Sequence, residues 1–194
     1  TRADVPWWGL LSSAAAHVLL IGGWTVAAAR QSGGFDPVVE TISALAARGA
    51  EDRWLMTSAL AGLGLCHLTT AAALRAAALP GRVVLAVGGA ATLGVAAFPL
   101  PADGGGSPAH TAAAGVAFLA LAVWPAAAGR SGAPTVLHPL VSVPAAAVLS
   151  GLVFWFFTSL VVPGGPVGLA ERTAAGAQAL WPLAAAWGAR RWRR

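Results

Sequence analysis

The residues able to do chemistry are few, and most fall in three stretches of the sequence. Glu171 and Arg172 open an otherwise apolar run, GLAERTAAGAQALWPL. A charge near a helix end can snorkel to the membrane interface at modest cost, so the pair can be an interfacial ion pair that fixes helix depth. A glutamate near a helix N-terminus is also stabilised by the dipole. Buried under a covering loop instead, the same carboxyl is a proton donor for general acid chemistry. Asp36 and Glu40 stand four apart in FDPVVETISALA, so on a helix they share a face. Asp36 followed by Pro37 reads as an N-cap with a first-turn proline, which accounts for Asp36. Glu40 has no such role and is the better catalytic candidate. Asp103, in PADGGGSPAH, is ordinary turn chemistry. His110, just after it, can accept a proton, ligate a metal or face lipid headgroups.

Three polar residues interrupt apolar runs near their middles: His17, His67 and Gln178. Ionisable residues inside a membrane are functional candidates by default. The alternative is a neutral interhelical hydrogen bond, such as His67 to Gln178, which would hold a bundle together. That alternative suffices for His17 and leaves His67 open. With Arg172 and the aromatics Trp54, Phe98 and Trp155, His67 and Gln178 are candidates to line a substrate cavity, where ring faces could stabilise a cation.

The elements that position these residues follow from composition. The chain has 194 residues, 57% hydrophobic and only 10% charged, against roughly a quarter charged in a soluble domain. So few polar residues cannot cover a core, and the excess apolar surface needs a hydrocarbon solvent. The expected fold is all-α: one transmembrane bundle spanning residues 1–194, with no room for a separate soluble module. Spans of about 20 apolar residues fall at about Trp7–Ala29, Arg53–Ala78, Val83–Phe98, Pro108–Ala128, Pro139–Val162 and Gly168–Ala189. The first is too long for a signal-peptide core and lacks a small-residue cleavage site. In the longest connection, Pro37–Ala47 places Val38, Val39, Ile42, Leu45 and Ala46 on one helical face. That predicts a short interfacial helix, either a bland surface element or a lid over a cavity.

Six spans put both termini on one side, with Arg2, Arg75, Arg82, Arg130, Arg190, Arg191, Arg193 and Arg194; Arg30, Arg48, Arg53 and Arg172 lie on the other. The positive-inside rule then makes the termini cytoplasmic. Asp36, Glu40, Glu51, Asp52, Asp103 and Glu171 fall on the outer side, leaving only Asp4 inside. The alanine excess and the use of arginine with no lysine point to a high-GC bacterial genome, hence an inner-membrane protein. The net charge of +5 is dispersed apart from the C-terminal arginines, so anionic lipid, not nucleic acid, is the expected partner. The lone Cys66, inside an apolar run, packs as a small hydrophobe.

The segment order resembles a small bacterial membrane family, Domain of Unknown Function 998, related to the Frag1-like proteins. Three stretches carry the resemblance: Phe35–Leu74, Gly94–Pro125 and Gly168–Leu183. It implies a six-helix membrane fold and no activity.

Function must then come from the residues. The chain contains no paired-aspartate diphosphate motif, Walker loop, HExxH or nucleophile elbow, and no cofactor is expected. Outer carboxylates above an apolar, tryptophan-rich bundle fit an enzyme acting on an isoprenoid or lipid-like substrate. Its best form is a terpene cyclase triggered by protonation from Glu40 or Glu171 in a dry cavity. A metal-dependent lipid hydrolase drawing on His67, His110, Asp36 and Glu171 is weakened by the absence of HxxxH. A non-catalytic lipid-binding, sensor or assembly protein is the remaining alternative. Oligomeric state is not readable from the sequence.

Overall fold

The computed structural model describes residues 5–103 and 105–192. Arg2, Asp4, Arg193 and Arg194 of the charge tally lie outside the described residues. Six helices follow one another: α1 (Trp7–Ala29), α2 (Trp54–Ala73), α3 (Leu79–Ala97), α4 (Pro108–Ala128), α5 (Pro139–Ser159) and α6 (Val167–Arg191). The first five are long and apolar enough to cross a bilayer. The chain is a multi-pass membrane protein. α6, at 25 residues the longest helix, is less apolar because it carries Glu171, Arg172, Gln178, Arg190 and Arg191.

Prolines set three of the helix starts. Pro80, Pro108 and Pro139 each occupy a first-turn position, where a missing N–H costs nothing. At α4 the Ser107 hydroxyl also caps the His110 N–H at 3.3 Å. α2 ends at Ala73, short of the expected boundary, and residues 74–78 turn directly into α3.

Each helix packs on the next in sequence and α6 returns to pack on α1, so the six close a ring. Neighbours run antiparallel: Gly9 of α1 meets Ala73 of α2, and Gly23 meets Ala59. Close approach is made by small residues, as expected where lipid removes the hydrophobic drive between helices. A Cβ on Gly64 would lie 2.7 Å from the Gly89 carbonyl oxygen, and one on Gly89 would lie 2.8 Å from that of Gly64. α2 and α3 therefore touch backbone to backbone. Ser12 of α1 reinforces the α1–α2 seam, donating to the Cys66 carbonyl at 2.7 Å and lying 3.0 Å from the Thr70 hydroxyl.

The ring has two differently built ends. The far end, where α1 begins and α6 finishes, is packed by Leu74, Leu85, Trp124 and Leu137, all fully buried. The loop end carries residues 30–53, and here the predicted interfacial helix is corrected. Pro37–Val39 form a turn, and only Ser43–Ala46 are helical, as one 3-10 turn. The segment lacks the length to sustain a helix of its own, and its backbone groups are taken by α6. The Val38 carbonyl accepts from Leu169 N–H at 3.0 Å.

Candidate functional site

The loop lies across the first turns of α6 as a collar, and three α6 residues, Gly168, Glu171 and Arg172, hold it. Gly168 comes first: a Cβ there would collide with the carbonyl oxygens of Glu40 and Pro37, so only glycine lets the backbones meet. Arg172 then gathers carbonyls through one nitrogen, Nη1, which donates to Pro37 at 3.0 Å, Glu40 at 2.7 Å and Gly168 at 3.0 Å. Its guanidinium also lies 5.2 Å from the Phe35 ring centroid and 6.0 Å from that of Trp24. Between these two, Glu171 points inward. It is buried, and its carboxyl accepts the Ile42 N–H and stands 3.5 Å from the Ser43 hydroxyl.

The sequence allowed an exposed ion pair between Glu171 and Arg172; the structure instead separates their duties. Arg172 ties backbone on the loop side, while Glu171 forms part of the ceiling of an internal cavity of about 60 Å³. Leu20, Leu63, Val95 and Phe118 give that cavity an apolar wall, and Ser43, Thr92, His67 and Gln178 add polar groups. Glu171 and Gln178 share this lining two turns apart, about 10 Å along the helix at 1.5 Å per residue.

His110 joins the same cluster from α4. It is buried, with Nε2 3.1 Å from Ser43 Oγ and Nδ1 2.9 Å from the Phe98 carbonyl oxygen. Ser43 is the residue of this cluster that sequence reasoning missed. Its signal was slight: one hydroxyl between Ile42 and Leu45 in a segment read as an amphipathic helix. Nothing local indicated that residues 110 and 171 would converge on it.

Asp36 and Glu40 are exposed and serve the collar itself, without entering the cavity. Asp36 Oδ1 accepts Val38 N–H at 2.8 Å, and Glu40 Oε2 reaches back to Asp36 N–H at 2.7 Å. This is the reciprocal logic of a helix cap used to close a single turn. Glu40 thus has the structural role it lacked on sequence grounds. Trp54 and Phe98 are exposed and Trp155 half-buried, and the cavity wall uses Phe118 in their place. Phe98 contributes through its carbonyl. The proposed His67–Gln178 bond is absent: Gln178 donates to the Phe118 carbonyl at 2.7 Å, and both His67 ring nitrogens are buried without a partner among the described residues. His17 likewise leaves Nδ1 unpaired. Among the described residues no three His, Cys, Asp or Glu side chains gather as a metal site, so His67, His110, Asp36 and Glu171 do not form one ligand set.

The collar, the buried Glu171 and the polar points of α4 and α6 all lie within residues 14–188, which match the family model described as a protein of unknown function (DUF998). The chain belongs to the DUF998 family. No curated protein and no solved structure matches it. For this DUF998 member the site therefore rests on geometry: a carboxyl, a hydroxyl and an imidazole from three elements, joined at the edge of a small cavity.

Proposed function

We propose that the protein is an intramembrane enzyme acting on an isoprenoid or lipid-like substrate, with Glu171 as the proton donor of an acid-initiated cyclisation. The observation that carries this is a carboxyl buried in the cavity ceiling, above an apolar wall that ends at His67 and Gln178. Protonation of an alkene needs a positioned acid and exclusion of water. The collar supplies both, holding Glu171 by backbone and covering the mouth. In this reading α6 is the sixth span, the collar faces outward and the termini are cytoplasmic in a bacterial inner membrane. Membranes containing the protein are incubated with farnesylated substrates and compared with Glu171→Gln and Glu40→Gln. Loss of cyclised product in Glu171→Gln, with Glu40→Gln close to the parent, is the expected result. Full cyclisation by Glu171→Gln would sink the assignment.

One observation favours a second reading, a non-catalytic lipid-binding or sensor protein. The cavity, at about 60 Å³, is far smaller than the ~300 Å³ or more of a typical ligand pocket. Catalysis on a prenyl chain therefore requires the collar to lift or the helices to part. A protein that retains lipid on purification and turns over none of the farnesylated substrates would favour this alternative.

A further inference from the structure

We infer that Ser43 is a nucleophile activated by His110, able to take an acyl group from a long-chain ester entering the cavity. The His110 tautomer follows from its partners. The Phe98 carbonyl can only accept, so Nδ1, 2.9 Å away, carries the hydrogen. Nε2 then presents its lone pair to Ser43 Oγ at 3.1 Å. Nucleophile, base and a third group orienting the base are the three parts of an activated serine. Glu171 Oε1 is the other acceptor near Oγ, but at 3.5 Å it is the weaker one. The hydroxyl proton therefore goes to His110.

The cavity supplies the second argument. It is lined by Ser43 and by His67, whose two buried ring nitrogens have no partner among the described residues. Buried polar groups are costly to leave unpaired, so this cavity is built to hold a ligand that carries a hydrogen-bonding group as well as apolar surface. A fatty acyl ester meets that description in its chemistry: its carbonyl supplies the polar group and its chain matches Leu20, Leu63, Val95 and Phe118, while the cavity of about 60 Å³ takes only the ester end unless the helices part along that wall. In the reaction, Ser43 Oγ attacks the ester carbonyl carbon while its proton moves to His110 Nε2. The tetrahedral adduct then breaks its bond to the alkoxy oxygen, which takes that proton and leaves as the alcohol. The acyl group remains esterified to Ser43 until water attacks, again with His110 as base, releasing the fatty acid.

This goes beyond the cyclisation reading and does not depend on it, since it concerns different atoms. The test is covalent labelling of the full chain in nanodiscs by a long-chain alkyl fluorophosphonate. An O–P bond forms at Ser43, the P–F bond breaks, and the proton passes to His110. Peptide mass spectrometry is expected to place the adduct on Ser43, with none on the Ser43→Ala variant. His110→Ala should slow labelling at least ~100-fold, the lower range for a general base. If His110→Ala does not fold, His110→Gln, checked by thermal melting, replaces it and should show the same loss. A folded parent left unlabelled at Ser43 overturns the inference, and so does a folded His110 variant labelled at the parent rate. Loss of cyclisation in Glu171→Gln has no bearing on either outcome.

Discussion

At the far end of the ring, Leu74, Leu85, Trp124 and Leu137 meet Ala128, Ala185 and Ala186, and the closure is mainly apolar contact. At the loop end the corresponding place is taken by Glu171, Ser43, His110 and Arg172, each engaged with backbone or hydroxyl groups. The two ends are closed by different means. Burying a carboxyl and an imidazole costs desolvation that a leucine cluster avoids. The far end closes chiefly by apolar contact, with the buried Trp124 indole N–H as its polar exception. The two closures therefore differ in how many polar groups they bury: several at the loop end and chiefly one indole at the far end.

Three substitutions would break or sharpen this contrast. The largest effect on stability is expected at the far end. Trp124→Ala empties a fully buried site whose indole N–H has no hydrogen-bond partner among the described residues. It should cost about 3 kcal/mol or more in unfolding measured in detergent. Fluorophosphonate labelling of the molecules that remain folded should stay at the parent rate; a parallel loss of labelling would show that the two ends are not separable.

Gly168→Val is the converse. Its Cβ would sit 2.7 Å from the Pro37 carbonyl oxygen and against that of Glu40, backbone that cannot swing aside. The collar must lift. A cost of about 1–3 kcal/mol is expected, together with faster proteolysis within residues 36–53 and loss of Ser43 labelling. Unchanged proteolysis would mean that the collar is held elsewhere.

The smallest effect is expected at the exposed Arg30–Asp52 pair, 2.8 Å apart at the loop end. The hydrogen bond from Arg30 holds the Asp52 carboxyl below its usual range. A carboxyl lowered on folding stabilises the folded state above its unfolded pKa and loses that contribution as pH falls through the folded value. Because the pair is solvated, Asp52→Asn should leave the melting temperature at neutral pH unchanged within error. A clear drop would mean that surface charge shares in holding the collar.

Much of the architecture was legible in order and composition. Too few polar residues to cover a core dictated a membrane solvent, and apolar runs punctuated by Pro80, Pro108 and Pro139 marked helices and several of their starts. The candidate site was legible only in part. Glu171, His110, His67 and Gln178 stood out as ionisable or polar residues in apolar surroundings. Glu40 stood out for the same reason and proved to be a turn closure, because a four-residue spacing fits a reciprocal cap as well as a catalytic face. The collar was misread as a helix because its apolar spacing fits one, while its hydrogen bonds are decided by α6.

What the sequence determined by itself was the solvent and the near-unbroken series of helices, since both depend on hydrophobicity and on local backbone chemistry. What tertiary structure alone decided was which charges are buried and what they touch. Ser43 lies 67 residues from His110 and 128 from Glu171. Their meeting depends on α6 closing the ring against α1 and carrying the collar across the cavity, a consequence of packing that no local pattern encodes.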